Sequence, residues 1–180
     1  MNTVVDRMHQ EFREVVGLLG NAEVSLRLTA EENFRKVLLL AAASLFEKLI
    51  QEQIVDLVKE CSAETDLVTE LVRRKAIERQ FHTYFVWDGR NANVFFGLFG
   101  EDFKRYMTLI VQANSEFRDA IVAFLELGND RNRLVHQDFG TFALEKTSDE
   151  VFALYLNAAR FVESMPAHFR GYLASRRADV

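Results

Sequence analysis

Apolar positions recur along most of the chain at the three- and four-residue spacing of amphipathic helices, and no alternating, β-branched segment competes with them. Residues 3–19 read as a first helix, with Val4, Val5, Met8, Phe12, Val15 and Leu19 near helical spacing and Gly20-Asn21 closing it. Thr29-Ala30-Glu31-Glu32 has the form of a capping box, in which hydroxyl and carboxylate satisfy the first free amides. It predicts a long helix from there to about residue 60. The expected buried stripe is Phe34, Val37, Leu38, Ala41, Leu45 and Leu49, continued by Leu57, Val58 and a slightly out-of-phase Ile54. The run Ala41-Ala42-Ala43 would let a neighbouring helix approach closely. A third helix is predicted over 64–86, from Leu67 through Leu71, Ala76 and Phe81 to Phe85.

Trp87-Asp88-Gly89-Arg90-Asn91-Ala92-Asn93 is dense in turn residues and is the clearest loop. A short helical turn at 95–100 and helices at 101–112 and 115–127 follow. Gly128 then reads as a helix C-cap, and Asn129-Asp130 as the N-cap of a fresh short helix beginning near Arg131 and ended by Gly140-Thr141. Thr147-Ser148-Asp149-Glu150 is a second capping box, opening a last helix to about Phe169 with Pro166 as a candidate kink. The fold expected is all-α: an antiparallel up-down bundle with a short motif-bearing helix before the last long one. One domain over 1–180 is expected, with its core at about 30–170 and the N-terminal helix packed on it, since there is no repeat or Pro/Ser-rich linker.

Composition supports the helical reading: 180 residues hold one Pro and 8 Gly, and 16 Phe supply large aromatic anchors for a core. The lone Cys61 gives no internal disulfide and no sign of an oxidising compartment. Asp6, Arg7, His9 and Glu11 stand where a secretory leader would be apolar. The longest apolar stretch, Val37 to Phe46, is too short to span a bilayer. A soluble, cytoplasmic protein with no membrane partner is therefore expected. The net charge of -5 means that any polyanion must be met by a local basic site rather than by the whole surface.

Among the chemistry-bearing residues, His9, His82 and His168 sit on expected helices without a partner at a useful spacing, and read as surface or satisfied half-buried residues. There is no Glu-x-x-His pair, no Cys cluster, no Gly-rich phosphate loop and no Gly-x-Ser-x-Gly elbow. No metal site and no cofactor are expected. His136 differs, because it closes Arg131-Asn132-Arg133-Leu134-Val135-His136 directly after the turn-like Gly128-Asn129-Asp130. On spacing alone, a helix with an exposed Arg and a packed His explains this better than chemistry does. The expected setting at a helix start reverses that preference, because free amides and the helix dipole favour a phosphate there. Arg brings a planar, permanently charged fork for phosphate oxygens, and an imidazole titrates near neutrality and can move a proton at a ribose hydroxyl.

At these residues the sequence resembles the HEPN superfamily, helical bundles that carry Arg-(Asn/Asp/His)-x-x-x-His. Arg131, Asn132 and His136 match position by position, between a penultimate helix containing Phe117, Ile121, Phe124 and Leu125 and a last one. Ser44-Leu45-Phe46-Glu47, in the long second helix, matches the place where many such families carry a polar or acidic residue facing the motif. Glu47 falls in a run that otherwise reads as core (Leu45, Phe46, Leu49), which makes a merely solvated face the less comfortable of its two explanations. The resemblance spans about residues 30–170 and is nearest the RiboL-PSP-HEPN subgroup, seen in bacterial defence and stress loci.

The resemblance implies metal-independent RNA cleavage at a site formed where two motifs meet across a two-fold axis. His136 would be the general base or acid, Arg131 the phosphate ligand, and Asn132 an orienting residue. Glu47 would position Arg131 or His136, while Arg133 and Ser44 would bind substrate. The partners implied are RNA (tRNA among the candidates), a second copy of the chain through the motif face, and an antitoxin or a larger defence assembly. Two alternatives stay open: a non-catalytic dimeric module of the same fold that binds nucleotide, RNA or a protein, and a plain helical adaptor.

Overall fold

A computed structural model of the chain describes residues 3–19, 24–62 and 66–178. Among these there are seven α-helices and no strand: α1 (Val4–Leu19), α2 (Val24–Cys61), α3 (Asp66–Val72), α4 (Asn93–Gly97), α5 (Glu101–Ala113), α6 (Ser115–His136) and α7 (Ser148–Ala178). No described helix is long and apolar enough to cross a membrane. The long helices α2, α6 and α7 pack on one another, with α1 laid along α2 and α5 against α6 and α7. The all-α expectation holds. The expected closure of the first helix at Gly20-Asn21 and the expected opening residues 64–65 of the third lie outside the described residues.

Aromatic rings dominate the interior, as the Phe content foretells. Phe124 of α6 lies 5.1 Å from Phe161 of α7 and 4.8 Å from Phe85, and Phe85 lies 4.8 Å from Phe95 of α4. Ring pairs at these spacings add about 0.5–1.5 kcal/mol each beyond the area they bury. A second aromatic group sits at the far end of α7, where Phe169 meets Phe103 at 5.2 Å and Phe99 at 4.8 Å. On the opposite flank α1 is anchored by Phe12 stacked on Phe34 at 3.7 Å, and by buried His9, which stacks on Phe152 and reaches Asp149 at 2.8 Å.

Four local expectations are corrected. The helix expected from Thr29 already begins by Val24, and the Thr29 hydroxyl donates back to the Ser25 carbonyl at 3.1 Å instead of capping. The buried stripe of α2 is Leu38, Leu39, Ala42, Phe46, Ile50 and Ile54, while Val37 is 41% exposed. With apolar residues around most of its circumference, α2 has no single stripe that periodicity can phase, and its neighbours choose the buried side. The third helix breaks: α3 gives way to a π-helical turn (Arg73–Ile77) and then to a short 3-10 turn (Phe81–Thr83). Finally, no new helix starts at Arg131, because α6 runs unbroken from Ser115 to His136.

The other capping box forms as read. Thr147 accepts from the Glu150 amide at 3.2 Å, and Glu150 Oε2 accepts from the Thr147 amide at 2.7 Å. α7 continues through Pro166 to Ala178. Pro166 has no N–H, so the Val162 carbonyl one turn earlier loses its helical donor. The Gln53 side-chain amide of α2 reaches across and donates to that carbonyl at 3.0 Å.

Candidate functional site

α6 is capped at its start by Asn114, whose side chain accepts from the Phe117 amide at 3.0 Å. From there its apolar stripe runs Phe117, Ile121, Phe124, Leu127 and Leu134, all buried. The turn-like Gly128-Asn129-Asp130 stays helical because two of its residues are committed to distant contacts. A Cβ on Gly128 would fall 2.1 Å from the Trp87 ring, so only a glycine lets the indole lie directly on the α6 backbone. Asp130 is buried and takes the Lys146 ammonium at 2.7 Å. Burial alone would push that ammonium's pKa down, but hydrogen bonds to Asp130 and Glu126 outweigh it and hold it above the usual lysine value. The motif therefore occupies the C-terminal end of a long helix, with Arg133 and His136 in its last turn. The dipole there favours positive charge and disfavours a phosphate, the reverse of the expectation for a helix start.

A cavity of about 240 Å³ opens beside the motif. α6 contributes Phe124, Leu127, Gly128, Arg131 and Asn132, a stripe at three- and four-residue spacing, and α2 contributes Ala43, Phe46 and Glu47 by the same rule. The third wall is the segment after α3, with Arg79, Phe81, His82 and Trp87. The floor is aromatic and buried; the charged and polar groups are half-buried or exposed.

Arg131, Asn132 and Glu47 are thus brought to one cavity. Arg131 donates to the Asn132 side-chain oxygen at 3.1 Å, which steers its guanidinium without neutralising it. Glu47 accepts from Gln51 at 3.4 Å and not from Arg131. His136 is exposed and is not part of the cavity wall. On a regular helix it lies about 140° around from Arg131, but only about 40° around and about 6 Å along from Asn132. It stands one turn past Asn132 on the same flank, at the rim.

The two residues expected to bind substrate are placed elsewhere. Arg133 pairs with Asp130 at 3.6 Å and lies over the Phe142 ring at 5.6 Å, which ties the chain leaving α6 to the helix itself. Ser44 is exposed and lies off the cavity. Nearby, buried Lys36 of α2 donates to the Phe139 carbonyl at 3.0 Å, so the segment that follows His136 is fastened to α2.

Sequence reasoning missed Arg79, Phe81, His82 and Trp87. They were read as one side of a continuous helix and a loop, and only the break after Ile77 turns them towards the motif. Among the described residues no group of three or more His, Cys, Asp or Glu side chains is arranged to hold a metal ion.

A family model described as RiboL-PSP-HEPN matches residues 6–169, which includes all three segments lining the cavity and the whole motif. No curated protein and no solved structure gives a match.

Proposed function

Because the chain belongs to the RiboL-PSP-HEPN family, we propose that it is a metal-independent endoribonuclease whose site is built on Arg131, Asn132, His136 and Glu47. The observation that carries this reading is the state of Arg131. It is a half-buried residue on the cavity wall, its guanidinium aimed by Asn132 and engaged by no carboxylate in an ion pair among the described residues. A charge held this way keeps its planar fork available to an anionic ligand, whereas Arg133 is engaged by Asp130.

In the proposed reaction the ribose 2'-OH attacks the adjacent phosphorus, the bond to the 5'-oxygen breaks, and the products carry a 2',3'-cyclic phosphate and a 5'-OH. Arg131 binds the phosphate and stabilises the charge that develops on it. One His136 takes the 2'-OH proton. A second, from another copy of the chain across a two-fold axis, gives a proton to the leaving 5'-oxygen. Two copies answer the placement of His136 at the rim, because a rim residue can face a partner's cavity. Val135 and Phe139, at 45% and 43% exposure, flank His136 and offer apolar area for such a contact. Glu47 is given the role of holding Arg131 once substrate has drawn it inward. Arg133, engaged by Asp130 and Phe142, is given a stiffening role in place of substrate binding. RNA, with tRNA among the candidates, a second copy and a neutralising or defence partner remain the proposed partners, and a bacterial defence, toxin or stress setting the proposed context.

The test is cleavage of varied RNAs, a tRNA pool included, by wild type, His136→Ala and Arg131→Lys in the presence of EDTA, with sedimentation of each protein. Wild type is expected to sediment as a dimer and to cleave despite the chelator. His136→Ala should lose about 10²- to 10⁴-fold in rate while melting normally. Arg131→Lys keeps the charge but loses the fork, and should lose most activity. The position of His136 outside the cavity wall also favours a second reading, a dimeric binding module without catalysis. A dimeric wild type that cleaves none of the RNAs would establish that module and end the nuclease reading.

A further inference from the structure

One wall of the cavity that Arg131 lines has no part in the reaction just described. Arg79, Phe81, His82 and Trp87 close the cavity from the broken third helix, and the break itself has an informative geometry. Ile77 to Gln80 form a β-turn closed by the Gln80 amide donating to the Ile77 carbonyl at 3.2 Å. Glu78 stands at φ -59°, ψ 125° and Arg79 at φ 63°, which is a type II turn. The third position of that turn favours glycine, because a side chain there is strained. Among the described residues Arg79 is the sole non-glycine with positive φ. Strain of this kind clusters at active sites and ligand clamps, and this side chain lies on the cavity wall.

The neighbouring rings are held with equal definition. The Trp87 indole N–H donates to the His82 carbonyl at 3.1 Å, its ring lies on the α6 backbone at Gly128, and Phe81 lies 5.6 Å from it. Both rings are only half-buried and present the remainder to the cavity. The result is a small chamber with aromatic walls and two guanidinium-bearing residues, sized for one planar ring system and below the range typical of larger ligands.

We propose that this chamber seats one unpaired nucleotide, with its base against Trp87 and Phe81 and its phosphate meeting Arg79 and Arg131. Aromatic side chains take any base by its face, while a base in a duplex is already stacked and paired and cannot enter. The inference deepens the nuclease reading, on which it rests only for making that phosphate the one cleaved. Its substrate class is single-stranded RNA, cleaved next to a base that has left its stack.

Trp87 is the one tryptophan of the chain and therefore reports directly on its own wall. The experiment follows its emission while the full chain is titrated with a 2'-O-methyl single-stranded oligonucleotide, the same sequence as a duplex, a nucleoside monophosphate, and inorganic phosphate. The methylated strand lacks the attacking hydroxyl, so binding is read without cleavage. Saturable quenching by the strand is expected, with the duplex at least about tenfold weaker and phosphate without effect. A monophosphate binding as tightly as the strand would overturn the assignment to RNA in favour of a free nucleotide, and no quenching by any probe would overturn the chamber altogether. Phe81→Ala should weaken the strand about fivefold or more, in line with the loss of one stacking wall. Arg79→Gly suits the turn, so it should melt at or above the wild-type temperature yet bind the strand less tightly, whereas a merely structural arginine would leave affinity unchanged. A protein that cleaves no RNA but quenches normally defeats the nuclease reading alone, and one that cleaves RNA without quenching defeats this inference alone.

Discussion

His168 shows how a residue's surroundings set its behaviour more than its type does. It is half-buried on α7 with its ring 4.9 Å from Phe117, and burial holds its pKa below the ordinary histidine value. A group depressed on folding contributes stability that is present above its unfolded pKa, about 6.5, and is lost as pH falls through the folded one. The melting temperature is therefore expected to fall on acidification below about pH 6.5, and His168→Gln should flatten that part of the profile. An unchanged slope in the variant would show that other groups carry the acid sensitivity. At this scale the sequence was partly readable. Arg131, Asn132 and Glu47 stood out by type and spacing, and two helices, α6 and α2, bring them to one cavity. Arg79 and Trp87 did not stand out, because what gives them meaning is a turn entered without glycine or proline. No local composition announces an arginine at positive φ.

Among the elements, the most instructive failure is the break expected in α6. Gly128-Asn129-Asp130 has the composition of a cap and a turn, yet the helix passes through it. Its glycine is there for an indole and its aspartate for Lys146, and neither requirement can be seen within the segment. Where a cap's partners are local, as with Thr147 and Glu150, the reading succeeded. Thr29-Ala30-Glu31-Glu32 marks the limit of even that signal, since the chain before it was already helical. The Gln53–Val162 contact allows a clean test of a long-range repair. Gln53→Ala should cost about 1–3 kcal/mol by leaving a carbonyl without a donor. In a Pro166→Ala background the helix supplies its own amide, and the same change should cost close to nothing in a double-mutant cycle. Equal losses in both backgrounds would show that Gln53 acts through packing instead.

For the whole molecule, the net charge of -5 remains compatible with an RNA substrate because Arg79 and Arg131 face a single carboxylate, Glu47, at the cavity. Attraction confined to so few groups is short-ranged and screened by salt within about 8–10 Å, so the proposed selection for unpaired strands would come mainly from contact. The proline in α7 reaches further than its missing hydrogen bond. Before Pro166 the helix packs through Tyr155 and Phe161 on Phe46 and Phe124, beneath the cavity. After it, Phe169 and Tyr172 pack on Phe103 and Tyr106 of α5. With one rung absent at the boundary, the two halves are expected to behave as separate cooperative units in native-state hydrogen exchange. The distal half should open with α5 at lower free energy, while α2, α6 and the proximal half stay closed. Uniform protection along α7 would show a single unit. If the halves do exchange separately, the end of the protein remote from the motif can fray and re-form without the site ever coming apart.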